Sequence, residues 1–151
     1  MKQVSFLILF VVCSAATIAQ GKFSSNEISI NGFRNPSIGV EYRYRHLSAH
    51  AGYYLTNFES GVTTTFLRTG VTWWFLPVGK QSNPSSFYGS LSYARGLSRD
   101  YKKSNAAIAE VGFRWMVYKG LNLRLGAAAL IAKGKSPQFN PTPGVSYSFF
   151  F

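Results

Sequence analysis

The most constraining feature of this chain is an alternation of apolar and polar residues that begins at Asn26 and continues to the C-terminus. The alternating segments are about ten residues long and are separated by turn residues, a pattern typical of β-strands. The segment from Leu125 to Ala132 has the highest helical propensity, but the alternation runs through it without a break. Because successive side chains of a strand point to opposite faces, the chain is expected to be all-β.

The alternation predicts eight strands. They are Asn26 to Phe33, Ser37 to Arg45, His46 to Leu55, Val62 to Leu76, Ser86 to Leu97, Asn105 to Tyr118, Leu121 to Lys133 and Gly144 to Phe151. In the sixth strand Val111 and Trp115 lie on one face, whereas Glu110 and Arg114 lie on the other. The same division recurs in other strands, with apolar residues on one face and charged residues and glycines on the other.

The N-terminal residues have the pattern of a cleavable signal peptide. Lys2 precedes an apolar stretch that ends in small residues before Gln20, and the stretch is too short for a membrane-spanning helix. We therefore predict a signal peptide at residues 1–19 and a single domain at residues 20–151. Cys13 is the only cysteine, so the mature chain is expected to have no disulfide and no cysteine ligand. Export also argues against a nucleic acid as the partner of this +11 chain.

Two architectures are compatible with alternating strands, a soluble sandwich and a membrane barrel. A sandwich places its polar faces in water and fills them with Lys, Glu and Thr. Here charged residues make up only 14% of the chain, and the polar face consists of Gly, Ser, Ala and Arg, which suit a narrow interior. Trp73, Phe75 and Trp115 fall near strand ends, as interfacial aromatic residues do. We predict an antiparallel, up-and-down transmembrane β-barrel, the closed sheet that leaves no unpaired edge in lipid.

The last strand supports the same interpretation. Tyr147, Phe149 and Phe151 alternate along it, and an aromatic residue ends the chain. This ending resembles the terminal recognition pattern of bacterial outer-membrane proteins. Over residues 20–151 the chain resembles the small eight-stranded barrels of the OmpA and OmpX type and the outer membrane protein β-barrel domain family. The resemblance implies location in the outer membrane, both termini in the periplasm and insertion by the barrel-assembly machinery.

Charged residues on the inward face are predicted to form a network that fills the barrel. The residues are Glu41, Arg43, Arg45, Arg68, Glu110, Arg114 and Arg124. A charge in a narrow interior has to be paired or hydrated, and a guanidinium can hold a carboxylate through two hydrogen bonds. The resemblance to OmpA-type barrels also implies that such a network plugs the interior. No metal site and no cofactor are predicted.

The predicted outer loops are basic. Their cations are Arg34, Arg95, Arg99, Lys102, Lys103, Lys133 and Lys135, and their acids are Glu59 and Asp100. The excess suits contact with outer-membrane lipid, in particular anionic lipopolysaccharide. Ordinary solvated loop charge is an equally acceptable explanation. A monomer is expected.

Three functions remain open from the sequence. The first is a structural or surface-interaction role in the bacterial envelope. The second is a small pore that prefers anions, although eight strands leave an interior that side chains can fill. The third is modification of lipid A, since His46 and Ser48 form a His-x-Ser triplet with Glu41 or Glu110 as possible partners. So short a motif is a weak indication, and we expect no enzymatic activity and no catalytic residue.

Overall fold

The computed structural model describes residues 23–33, 37–59 and 62–151. The predicted signal peptide, residues 1–19, and the predicted loop cation Arg34 lie outside the described residues. The side chain of Glu59 also lies outside them.

The described residues form an all-β structure with one short 3-10 helix. The strands are β1 (Asn26–Phe33), β2 (Ile38–Tyr44), β3 (Leu47–Glu59), β4 (Val62–Val78), β5 (Ser85–Gly96), β6 (Asn105–Tyr118), β7 (Leu121–Ala132), β8 (Gln138–Pro141) and β9 (Gly144–Phe150). The helix, Arg99–Tyr101, lies in the connection between β5 and β6. No helix in the described part of the chain is long and apolar enough to cross a bilayer.

The strands form a closed antiparallel barrel with eight strand positions. Consecutive strands pair from β1 to β7, and β9 pairs with both β7 and β1, which closes the sheet. Short connections at residues 45–46, 79–84 and 119–120 lie at the end where β1 begins and β9 finishes, which we call the terminal end. The other connections lie at the opposite end, which we call the loop end.

The eighth position differs from the sequence-based prediction because it is occupied by two segments. β8 and β9 follow one register along β7, since Ala127 pairs with Pro141 and Arg124 pairs with Gly144. Thr142 and Pro143 interrupt the strand assignment between them. The prolines around Gln138 suggested a loop in the sequence, yet proline is tolerated beside an irregularity of the ladder, and Pro141 directly precedes the interruption at Thr142.

Two other strands differ from the prediction by more than one residue at an end, whereas β2, β5 and β7 differ by a single residue at one or both ends. β3 extends beyond Leu55 to Glu59, and β4 extends beyond Leu76 to Val78. Leu76 has a φ of +48° and lies in a β-bulge, after which Pro77 pairs with Ser86. A bulge inserts one extra residue without ending the ladder, so the pairing resumes past the irregular residue.

The two faces of the barrel have opposite chemistry. Trp73 is 61% exposed on the outside, whereas its neighbour Trp74 is 0% exposed on the inside. The interior is itself divided into two halves. At the loop end it contains an apolar cluster of Tyr54, Phe66, Ala94, Tyr101, Ala106, Ile108, Ala128, Leu130 and Ala132. Towards the terminal end it contains charged and hydroxyl side chains.

Candidate functional site in the charged barrel interior

Glu27 holds two arginines at the terminal end of the interior. It lies on the inward face of β1, where Ile28 and Ile30 point outward. Its Oε2 accepts hydrogen bonds from Nε of Arg43 at 2.7 Å and from Nη2 of the same guanidinium, while its Oε1 accepts from Arg114 Nη1 at 2.7 Å. One carboxylate thus forms ion pairs with two buried guanidiniums.

Two serines complete the environment of Glu27. Ser148 Oγ donates to Glu27 Oε1 at 2.6 Å, and Ser29 Oγ donates to the same oxygen at 2.9 Å. Ser148 lies on β9, which pairs with β1 where the barrel closes. The carboxylate therefore links the first and last strands through side chains as well as through the backbone ladder.

A second ion pair lies between Glu41 on β2 and Arg124 on β7. Arg124 Nη1 donates to Glu41 Oε2 at 2.7 Å across the interior. The other carboxylate oxygen accepts a hydrogen bond from Ser48, whose Oγ accepts the indole N–H of Trp74 at 2.9 Å. This chain of contacts joins β2, β3, β4 and β7.

A third ion pair involves Glu110 on β6 and Arg68 on β4. Arg68 Nη2 donates to Glu110 Oε2 at 2.7 Å. The other oxygen of Glu110 accepts from Tyr88 Oη at 2.8 Å and from Thr142 Oγ1 at 2.9 Å. Thr142 belongs to the interruption between β8 and β9, so this hydrogen bond gives the interruption a fixed position.

The buried Trp74 ring lies among the cations of the network. The guanidinium carbons of Arg114 and Arg124 lie 4.3 and 5.1 Å from its ring centroid, and that of Arg43 lies 6.0 Å away. Such distances permit cation–π attraction, which is strongest for tryptophan. Among the described interior residues, four guanidiniums face only three carboxylates. The Trp74 ring therefore adds to the attraction that the carboxylates provide for these cations.

A small polar cavity of about 30 Å³ remains between the Glu41 and Glu110 ion pairs. His50, Asn31 and Arg124 line part of it. Arg124 Nε and Nη2 and Asn31 Oδ1 have no hydrogen-bond partner among the described residues. A cavity of this size has room for about two water molecules, and donors and an acceptor on its wall could bind them. It is far too small for an open channel.

The structure brings six of the seven predicted network residues together in the interior. Glu41, Arg43, Arg68, Glu110, Arg114 and Arg124 all make interior ion pairs. The placement of Arg45 was wrong, because its side chain is exposed. β2 ends at Tyr44 and Arg45 adopts a φ of +53° in the turn, so the alternation no longer determines its direction. Its guanidinium instead lies 5.2 Å from the Tyr44 ring centroid.

Sequence reasoning missed Glu27, which has more ion-pair partners than Glu41 or Glu110 in the contacts above. A signal for it was present, because Glu27, Ser29 and Asn31 alternate with Ile28 and Ile30 along β1.

The His-x-Ser triplet is not arranged as a nucleophile and its base. The ring of His46 is hydrogen-bonded through Nδ1 to the carbonyl oxygen of Trp74 at 2.9 Å. Ser48 is buried and engaged by Glu41 and Trp74, and no hydrogen bond joins His46 to Ser48 among the described contacts. Within residues 23–33, 37–59 and 62–151 no cluster of histidine, cysteine or acidic side chains is placed to hold a metal ion.

The outer face carries the other predicted residues. Trp73 and Trp115 are exposed and Phe75 is half-buried near the terminal end. Phe75 packs on Trp73 and Phe87, with ring centroids 5.3 and 6.3 Å apart. Aromatic side chains thus cover neighbouring strands near this end.

The predicted C-terminal aromatics share the same face. Tyr147 and Phe149 are exposed on the outward face of β9, with ring centroids 5.1 Å apart, and Phe151 is exposed just beyond the strand. Phe151 N–H also donates to the carbonyl oxygen of Asn26. The chain end is therefore held against the start of β1.

Searches against family models, curated proteins and solved structures returned no match to this chain. A functional assignment therefore depends on the geometry of the barrel itself.

Proposed function

We propose that the protein is an integral outer-membrane β-barrel whose interior is plugged by side chains, with a structural or surface-interaction role in the bacterial envelope. The observation that carries the proposal is the opposite chemistry of the two faces. Large apolar side chains such as Ile38, Leu125 and Trp73 are 66%, 67% and 61% exposed on the outside, whereas the ion pairs lie inside. In water so much exposed apolar surface favours aggregation, but in lipid it is the required surface of a barrel.

The distribution of aromatic residues and cations supports an orientation. The aromatic residues near the terminal end are suited to one lipid–water interface. Exposed cations are more numerous at the loop end, where they are Arg95, Arg99, Lys102, Lys103 and Lys133, than at the terminal end of the described chain, where they are Arg45, Lys80 and Lys119. An anionic outer leaflet attracts such charges by about 1 kcal/mol each on the general membrane scale. The proposed orientation places the termini in the periplasm and the loop end at the cell surface.

The filled interior favours a plugged barrel over a pore. Arg43, Arg114 and Trp74 are each 2% exposed or less, and the cavity beside them has room for about two waters. A small anion-preferring pore remains the second candidate because guanidiniums outnumber carboxylates in the described interior. Conduction would require the network to open.

A catalytic role has less support than the plugged barrel or the pore. Ser48 is part of the buried network around Glu41, whereas an acyl-transfer nucleophile needs a base and access to substrate. We propose that the protein is not an enzyme. The check is the lipid A profile, which should be unaltered by expression of either the protein or its Ser48→Ala variant. A profile that the protein changes and the variant does not would restore the enzymatic hypothesis.

Gel mobility with and without boiling tests the main proposal. A closed barrel extracted from membranes should resist detergent and migrate at a different apparent mass until it is heated. The protein should also be recovered in the outer-membrane fraction. Identical mobility under both conditions, together with recovery in the soluble periplasm, would overturn the proposal in favour of a secreted sandwich.

Assembly provides a second test. β9 closes the sheet through its ladder with β1, and its Ser148 binds Glu27. We propose that the barrel-assembly machinery recognises this strand through Tyr147, Phe149 and Phe151. Deletion of residues 148–151 should abolish insertion and leave degraded or aggregated protein. Normal outer-membrane levels of the truncated chain would contradict both the closure argument and the proposed recognition.

A further inference from the structure

An apolar groove of about 610 Å³ runs over the outer face of β3 to β8, and Leu47 is its lining residue on β3. Gly89, Ala109 and Ala127 form part of its floor, where neighbouring outward positions carry larger side chains. Trp73 and Phe139 stand at its sides. The outer face is therefore recessed at this place.

The same outward face becomes polar towards the loop end. On β5 the outward series beyond Gly89 reaches Tyr93 and then Arg95, and both side chains are exposed. Tyr93 Oη and Arg95 Nη1 both donate to Asn105 Oδ1 on β6, at 2.8 and 2.5 Å. Lys133 follows the end of β7 and is also exposed. One cation thus lies on a strand of the groove, Arg95 on β5, and a second, Lys133, directly follows another, β7.

The spacing suits an acylated molecule with an anionic head. Leu91 lines the groove and Arg95 lies four residues further along the same strand. At about 3.3 Å per residue, the Cα of Arg95 lies about 13 Å beyond that of Leu91 towards the loop end. A guanidinium can bind phosphate through two hydrogen bonds, and an ammonium adds a point charge.

We propose that this surface binds one molecule of lipid A, with an acyl chain in the groove and a phosphate at Arg95 and Lys133. The proposal rests on the membrane location given above and identifies where the lipid partner binds. Charge complementarity favours a phosphorylated lipid over a second copy of this chain, which would bring the same two cations to the contact. Lipid A is favoured over a phospholipid because the proposed orientation places Arg95 in the outer leaflet.

Native mass spectrometry of the refolded chain in detergent micelles, with bis-phosphorylated lipid A as the probe, tests the site. The unaltered protein should retain one lipid. The double variant Arg95→Gln, Lys133→Gln should bind about tenfold more weakly or worse, because it loses two charges that face the membrane surface. The matched control Lys102→Gln, Lys103→Gln removes two exposed loop-end cations from outside the groove strands and should bind within about twofold of the unaltered protein.

The groove is tested separately. Ala109→Leu fills its floor and should weaken lipid A binding by about tenfold, as expected when one buried leucine-sized part of an acyl chain is displaced. Ala51→Leu, on the outward face of β3 at a residue that does not line the groove, is the control and should not weaken it. Equal binding by both leucine variants would overturn the groove assignment.

Lipid controls decide the identity of the occupant. Equal retention of dephosphorylated lipid A would overturn the role of Arg95 and Lys133, and tighter retention of phosphatidylglycerol would overturn lipid A as the occupant. Heat-dependent gel mobility is recorded for every sample. A folded, heat-modifiable barrel without a retained lipid contradicts this inference alone, whereas loss of heat modification in the unaltered protein contradicts the proposed function.

Discussion

The two halves of the barrel interior are filled by different kinds of interaction. Towards the terminal end, three carboxylates and four guanidiniums are fixed by directed hydrogen bonds. Towards the loop end, Phe66, Ile108 and Leu130 fill the space by packing. Removal of a charge leaves its partner buried and unpaired, whereas removal of a methyl group leaves only a small cavity. The comparison therefore predicts steeper penalties for substitutions in the charged half.

The largest effect is expected for Glu27→Ala. Both Arg43 and Arg114 would lose their carboxylate, and Arg114 is 0% exposed. The free energy of unfolding should fall by about 3–5 kcal/mol, the range for breaking a buried ion pair. Urea unfolding of the refolded barrel, followed by tryptophan fluorescence, measures the change. Asp100→Ala, at an exposed residue of the 3-10 helix, is the control and should change stability by less than about 0.5 kcal/mol.

A smaller loss is expected for Glu110→Ala. Arg68 would keep hydrogen bonds to Ser92 at 2.9 Å and Ser90 at 3.0 Å, and the adjoining cavity can admit water to its guanidinium. We expect a loss of about 1.5–3 kcal/mol, the range for hydrogen bonds to charged groups. The barrel should also lose its heat-modified mobility at a lower temperature and conduct more ions in planar bilayers. A loss equal to that of Glu27→Ala would show that the cavity does not hydrate Arg68.

Between the charged and the apolar halves of the interior, the position of Tyr88 depends on the space that Gly112 leaves as well as on its hydrogen bond to Glu110. A Cβ at Gly112 would lie 2.6 Å from Tyr88 Oη and 2.8 Å from the carbonyl oxygen of Leu125. Gly112→Ala should therefore displace the tyrosine from Glu110 and cost about 1–3 kcal/mol, as overpacking does. Gly89→Ala is the matched control, since the nearest atom to its Cβ would be 3.8 Å away. Equal stability of the two alanine variants in urea would show that Tyr88 can move without loss.

Most strand positions could be predicted from the sequence, because alternation follows directly from two faces of different chemistry. Asn26–Phe33 and Asn105–Tyr118 were predicted with their observed bounds. The bulge at Leu76 and the split between β8 and β9 were not predicted, since both depend on pairing with a neighbouring strand. Arg45 was misplaced for a related reason: a turn residue with positive φ does not follow the alternation.

The ion-pair partner of an interior residue was harder to predict than the strand face on which the residue lies. Inward position could be read for Glu41 and Arg124, but their pairing across the barrel depends on closure and register. The same is true of Glu27, whose partner Arg114 lies 87 residues away in sequence. Alternation therefore identifies which residues enter the interior, whereas the closed sheet determines which of them meet.

The smallest effect is expected for Ile108→Val in the apolar half. Ile108 is 1% exposed and belongs to the cluster that contains Phe66 and Leu130, so the variant leaves a cavity of one methylene group. The expected loss is about 0.5–1.5 kcal/mol in urea unfolding. Ile131→Val makes the same change on the neighbouring strand at a side chain that is 56% exposed on the outer face, and should fall within about 0.5 kcal/mol of the unaltered protein. If the two valine variants lose equal stability, the loop-end interior does not pack as a core, and the contrast with the charged half fails.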